Sequence, residues 1–234
     1  MERDFSVNFG QYNTWSDWGL IPADRPVVAP PTQKTHDIEI PGGHGVIDGS
    51  TALTRYPLFN NREGSWDFYM DNDREDYSFM DVYSRIMGAL QGKNLQISLE
   101  EDPDYFYDGK CWVTNRKQSN GHSLITLNYS VYPYKHRFVD VGKVSTVDIN
   151  GRNIVAELNV SQFTQEPVCP RFVVKSETLG NIKITFQTAT LQYNTSMATG
   201  TWVDPMIMYI PGEHATIIAE GIGSVGIQAA GGWL

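Results

Sequence analysis

The chain has 234 residues, 41% of them hydrophobic and 12% aromatic, enough to bury one large core or two modest ones. Its net charge is -9, and neither half carries the basic excess needed to hold a phosphate backbone: Lys and Arg stand thirteen against nineteen Asp and Glu up to Arg137, and five against eight beyond it. No window reaches the roughly 18 consecutive apolar residues of a membrane span, and the start Met1-Glu2-Arg3-Asp4 lacks the basic-then-apolar order of a signal peptide, so a chain made and assembled in a cytoplasm is expected.

In chain order, the first stretch, through "DWGLIPADRPVVAPPTQKTHDIEIPGG", is dense in proline. It reads as an extended arm or irregular lead-in ending in a short strand around Asp37 to Pro41. Phe79, Val82, Tyr83, Ile86, Met87 and Leu90 then recur at i, i+3, i+4, i+7, i+8 and i+11. Ser78 and Asp81 stand as a capping pair and Gly92 just beyond, which predicts an amphipathic helix over 79–91.

Turn signals follow at Asp108-Gly109, Asn120-Gly121 and Asn150-Gly151, each flanked by β-forming residues. Both central positions of a type I′ turn need positive φ, so three hairpins are expected. Beyond Phe138 short strands alternate with Gly, Asn and Pro turns to "AEGIGSVGIQAAGGWL", the pattern of a β-sandwich. The expected fold is mainly β with one helix, in two domains over residues 1–137 and 138–234.

Several residue groups invite a chemical reading. Glu100, Glu101, Asp102 and Asp104 sit among tyrosines, and paired carboxylates are what glycoside hydrolysis or a metal needs. Alternation along a strand sends neighbours such as Glu100 and Glu101 to opposite faces, and Asp102-Pro103 is an ordinary turn signal, so the structural reading is preferred.

"DNDRED", Asp71 to Asp76, lacks the turn glycine and closing glutamate of a calcium loop. "PGGHG", Pro41 to Gly45, lacks the GK[ST] ending of a phosphate loop. Cys111 and Cys169 are far apart with no CxxC spacing, so a disulfide framework or a zinc site is not expected. No catalytic residue, metal or cofactor is assigned. Of the six tryptophans, Trp202 in "TGTWVDP" is the one placed to contact a glycan.

The order of motifs is informative as a set. The Pro-rich lead and "PGGHGVIDGS" are followed by "RYPLFNNREGSWDFYM", the helix ending "ALQGK", "EDPDYFYDGK" and "YSVYPYK". Over about Asp17 to Lys135 this resembles the distal tail protein (Dit) family of siphophages, in the compact form found in phages and prophages of Gram-positive bacteria. Two departures are "LQGK", where a histidine before the glycine is expected, and "DGK", where arginine is commoner.

The resemblance implies a β-barrel-like, ring-forming N-terminal domain with one helix and an outer C-terminal galectin-like β-sandwich. It implies a virion baseplate component at the tail tip, a hexameric ring between the tail tube protein and the tail-associated hub and receptor-binding apparatus. DNA would pass through a lumen poor in Lys and Arg without specific binding. Trp15, Trp18 and Leu20 are the expected anchors of the ring interface, since aromatic side chains tend to dominate association energy. The alternatives are a lectin or adhesin acting through the C-terminal sandwich and Trp202, and an acidic-pair glycosidase centred on Glu101 and Asp104.

Overall fold

A computed structural model describes residues 5–52, 54, 56–70, 78–119, 122–138, 144–158, 165–175, 179–229 and 231–234. The chain is mainly β with a single helix among the described residues, as the sequence pattern implies. It divides into two compact units, one of Met1–Lys135 together with Leu234 and one of His136–Trp233.

In the first unit the strands are β1 (Val7–Phe9), β2 (Tyr12–Asn13), β3 (Leu20–Pro22), β4 (Asp37–Glu39), β5 (Val46–Asp48), β6 (Arg62–Met70), β7 (Asn94–Leu99), β8 (Tyr105–Ser119) and β9 (His122–Val131), with the helix α1 (Phe79–Leu90) between β6 and β7. One sheet runs in the order β2-β1-β7-β8-β9-β6-β3. Its two ends are tied through buried Thr14. The Thr14 N–H donates to the Val7 carbonyl at 3.0 Å, its hydroxyl accepts from Val7 N–H at 2.9 Å, and its carbonyl accepts from Leu20 N–H at 2.8 Å. That closure gives the sheet its barrel-like form and removes part of the exposed edge.

Along β6 the side chains alternate. Trp66, Phe68 and Met70 turn inward while Glu63, Ser65, Asp67 and Tyr69 turn out. The inward set joins Phe9, Trp18, Leu20, Ile97, Ile125, Leu127, Tyr129 and the helix residues Val82, Ile86, Ala89 and Leu90 in one core. Trp66 stacks on Tyr129 with centroids 4.2 Å apart, and Phe9 packs on Trp18 at 6.0 Å.

Three expectations change here. Residues 7–22 are not a free lead-in: β1, β2 and β3 are members of the sheet, because Val7, Phe9, Trp18 and Leu20 bring the apolar surface that completes the core. The helix, Phe79–Leu90, ends one residue short of the predicted 79–91 and Gly92 takes φ 74 beyond its end, but Ser78 makes no side-chain cap bond. Asp108-Gly109 is no hairpin; it lies within β8. A Cβ on Gly109 would meet the Ser130 carbonyl oxygen and Val131 Cα, so this glycine serves close backbone approach rather than a turn. Asn120-Gly121 lies outside the described residues; the strands on either side of it pair, with Ser119 opposite His122.

In the second unit, β10 (His136–Arg137) is followed by β11 (Ser145–Leu158), β12 (Arg171–Val174), β13 (Leu179–Thr188), β14 (Gln192–Met197), β15 (Gly200–Val203) and β16 (Ala215–Gln228). β11 pairs along the whole of β16. On its other edge β16 pairs first with β13, over Ala215 to Ile222, and then with β12, over Val225 to Gln228. The expected sandwich is therefore one continuous hydrogen-bonded sheet, whose two wings contribute Phe172, Ile182, Ile184, Phe186, Ile217 and Val225 to a single core.

The wings part at Gly221 and Gly223, with φ 150 and 149, where a Cβ on Gly221 would strike the Ile182 side chain. Opposite Gly221 on β11 stands Gly151, φ 96. Asn153 Nδ2 donates to the Asp148 carbonyl at 3.1 Å, a reach over five residues that a straight strand rising about 3.3 Å per residue does not allow. Asn150-Gly151 thus bends a paired ribbon instead of ending it in a hairpin.

Candidate interaction surfaces

The acidic turn after β7 is a knot of structural ties. Glu100 Oε2 accepts from the Ser6 N–H at 3.0 Å and from the Ser6 hydroxyl. Glu101 pairs with Arg25 Nε at 2.6 Å, and Asp102 with Lys135 Nζ at 2.5 Å, the lysine also lying 4.3 Å from the Tyr105 ring centroid. Each carboxylate holds a different segment: the start of β1, the proline-rich stretch, and the end of the first unit. As solvent-facing pairs they fix geometry more than they stabilise, about 0–1 kcal/mol each.

The proline-rich stretch is fastened to its own sheet. Trp66 Nε1 donates to the Val27 carbonyl at 2.9 Å, and Ala29 N–H donates to the Tyr129 hydroxyl at 2.9 Å. Arg62, buried, donates from Nε to the Pro133 carbonyl at 2.7 Å and from Nη1 to the Ala29 carbonyl at 3.3 Å, with its guanidinium 5.3 Å from the Tyr107 ring centroid. Burial holds the Arg62 pKa below its ordinary value. Trp18 and Leu20 lie in the core, and Trp15 is half-buried beside them in sequence. The apolar surface of Trp18 and Leu20 is spent on their own unit and does not face outward.

Past this strap the chain leaves the core. Residues 32–48 are exposed throughout, and β4 pairs with β5 as a two-stranded hairpin, Ile38 opposite Ile47. Its base is pinned by Ser50 N–H donating to Asp48 Oδ1 at 2.8 Å. The side-chain and backbone bonds from Ser50 hold the Asp48 carboxyl below the usual carboxylate range. Four β-branched side chains stand in solvent: Ile38, Ile40, Val46 and Ile47, between 41% and 55% exposed. The sequence signal is the alternating "IEIPGGHGVID", whose far end, Val46–Asp48, adds a second strand to the one expected at Asp37 to Pro41.

In the second unit Trp202 lies on β15, an edge strand, opposite Phe172 and 42% exposed, with Val203 and Met206 exposed nearby. Its Nε1 donates to the Ala198 carbonyl at 2.8 Å. Both cysteines are free: Cys111 is buried, which pushes its thiol up to about 12, and Cys169 is half-buried. "PGGHG" forms the exposed hairpin tip, with Gly42 and Gly45 at φ 73 and 81. "DNDRED" lies outside the described residues. Among the described residues no group of three His, Cys, Asp or Glu is placed to hold a metal, and no helix is long and apolar enough to cross a membrane.

These features define a mainly β chain of two units, a barrel-like sheet with one helix followed by a bent sheet folded over its own core. That fold is the fold of a siphophage distal tail protein. Among the solved structures it matches is the Dit protein (gp 19.1) of SPP1, described as a paradigm of the hub adsorption apparatus in phages infecting Gram-positive bacteria. The match has a TM-score of 0.65 at 14% identity and covers 95% of this chain and 97% of that one. The resemblance drawn from the motif order is borne out at the level of fold. No protein-family description and no curated protein sequence matches the chain.

Proposed function

We propose that this chain is a structural protein of a phage tail tip. It forms a closed ring, hexameric as the family resemblance implies, that seats on the tail tube protein and carries the tail-associated hub and receptor-binding apparatus. It acts in the virion, and no catalysis belongs to the reading. The observation that carries it is the correspondence of fold with SPP1 Dit over nearly the whole of both chains. In this reading residues 1–137 form the ring and the galectin-like 138–234 lies outside it.

The exposed hairpin supports the ring. A lone two-stranded hairpin is marginal in water, and one with four exposed β-branched residues gains by being covered. A head-to-tail contact that takes the hairpin of each subunit onto the next, and closes, gives a ring and not a fibre. The interface then belongs to the hairpin, with half-buried Trp15 kept as a separate candidate, while Trp18 and Leu20 brace the sheet from within. Light scattering on the purified protein, with negative-stain images, tests this: a species six times the mass of the chain with a central channel is expected. A strict monomer that stays so when mixed with tube protein overturns it.

A second reading rests on Trp202, whose exposed ring on an edge strand suits stacking on a sugar. It expects binding to cell-wall saccharides that Trp202→Ala abolishes.

A further inference from the structure

The first unit holds an open groove with a cavity of about 560 Å³, lined by Pro30, Thr32, Lys34, Asn60, Asn61 and Glu63. It forms where the end of the strap meets the approach to β6. Lys34 N–H donates to the Leu58 carbonyl and Asn60 N–H to the Thr32 carbonyl, both at 2.8 Å, so the two segments make a short ribbon. Pro30 fixes the backbone at one end. The volume falls within the ordinary range of small-ligand sites.

Five of the six lining side chains are polar, and several are held in place. Asn60 Nδ2 donates to Thr32 Oγ1 at 3.2 Å. Asn61 Nδ2 donates to Ser130 Oγ, and Ser130 Oγ donates to Glu63 Oε1, both at 3.4 Å. These bonds use one amide N–H of each asparagine and leave a second N–H and the side-chain carbonyl oxygen of Asn60 and Asn61 to a ligand. Glu63 adds acceptors and Lys34 adds donors.

One cation and one anion make a poor site for phosphate or for a metal, because neither sign prevails. Spaced donors and acceptors of both kinds suit a neutral ligand rich in hydroxyl groups. An exposed aromatic follows in the chain: Tyr132 stands two residues after Ser130, whose hydroxyl bonds Glu63, and is 42% exposed, its ring centroid 6.0 Å from that of Tyr134. A ring face beside amide and carboxylate side chains is the arrangement a pyranose uses, stacking its C–H face and hydrogen-bonding its hydroxyls.

We propose that this groove is a saccharide-binding site on the first unit, in which Asn60, Asn61 and Glu63 take the sugar hydroxyls, Lys34 donates from the rim and Tyr132 stacks on a ring. It does not depend on the tail-tip reading, and it is separate from Trp202. The sugar contact would be weak singly, in the millimolar range, and would gain by repetition if several copies act together.

The test is NMR of the whole chain titrated with cellotriose, chitotriose and maltotriose to about 10 mM. The expected result is shifts of the Asn60 and Asn61 side-chain amides with at least one sugar. Asn61→Ala with Glu63→Ala should weaken the binding at least tenfold, Tyr132→Ala severalfold, and Trp202→Ala not at all. All three groove positions are exposed, so unchanged thermal melting serves as the fold control. No shift with any of the three sugars, or shifts that survive the double variant, overturns the proposal.

Discussion

Gly109 and Cys111 lie two positions apart on β8 and show opposite uses of close packing. Gly109 is a strand residue without a side chain because β9 passes where a Cβ would stand, so Gly109→Ala forces backbone apart. A loss of about 2–4 kcal/mol in urea unfolding is expected, with the m-value unchanged. Cys111 is buried on the inward face, and desolvation raises its thiol from an ordinary 9.0 to about 12. The unfolded chain therefore sheds a proton near pH 9 that the folded chain keeps. The stability is fully present below pH 9 and is lost as pH rises towards 12. Unfolding followed between pH 9 and 10, where Cys169, Tyr129 and Tyr209, each raised by burial, act in the same direction, should slope downward in the native protein and less steeply in Cys111→Ala. Equal slopes would remove Cys111 as the cause.

At the scale of elements, α1 is specified by its apolar stripe and not by its ends. Ser78 makes no side-chain cap bond, while Val82, Ile86, Ala89 and Leu90 are buried in the core. Tertiary packing supplies most of the stability of such a helix. Gly88 sits exposed in its last turn with open space around a would-be Cβ. Gly88→Ala should stabilise the protein by about 0.5–1 kcal/mol, seen as a higher urea midpoint, since it removes backbone freedom from the unfolded chain without a clash. The β4–β5 hairpin is the opposite case: all six of its strand residues are exposed, so it is held by the hydrogen bonds at its base and not by burial in a core. Ile38→Ser with Ile47→Ser should leave circular dichroism and melting nearly unchanged. The same pair should shift the light-scattering mass from ring to monomer, and a ring that persists would move the interface elsewhere.

At the scale of the whole molecule the acidic balance acquires a use. With a net charge of -9, the proposed ring would present an anionic body, and a lumen poor in Lys and Arg would let DNA pass without adhesion. A reconstruction of the ring should show Asp, Glu and uncharged side chains on the channel wall. A wall lined by Lys and Arg would sink that account. The carboxylates of the acidic turn contribute by tying the first unit together, since Arg25 and Lys135 reach Glu101 and Asp102 from distant points of the chain.

The sequence by itself determined the mainly β class, the helix with its glycine stop and the antiparallel pairing of the strands before and after Asn120-Gly121, because these rest on local periodicity and on backbone preferences of single residues. It also carried the order of motifs that pointed to the distal tail protein fold. Tertiary structure alone decided the rest. Asp108-Gly109 and Asn150-Gly151 have the same local chemistry as a hairpin turn. Only the strand running past Gly109, and the bend shared by Gly151 and Gly221, make one a close approach and the other a corner. Trp18 and Leu20 looked like anchors for a neighbour because their apolar surface is visible in sequence while its destination is not. Thr14 closes the sheet over them, while Ile38, Ile40, Val46 and Ile47, less conspicuous in the sequence, are the side chains left exposed on the hairpin.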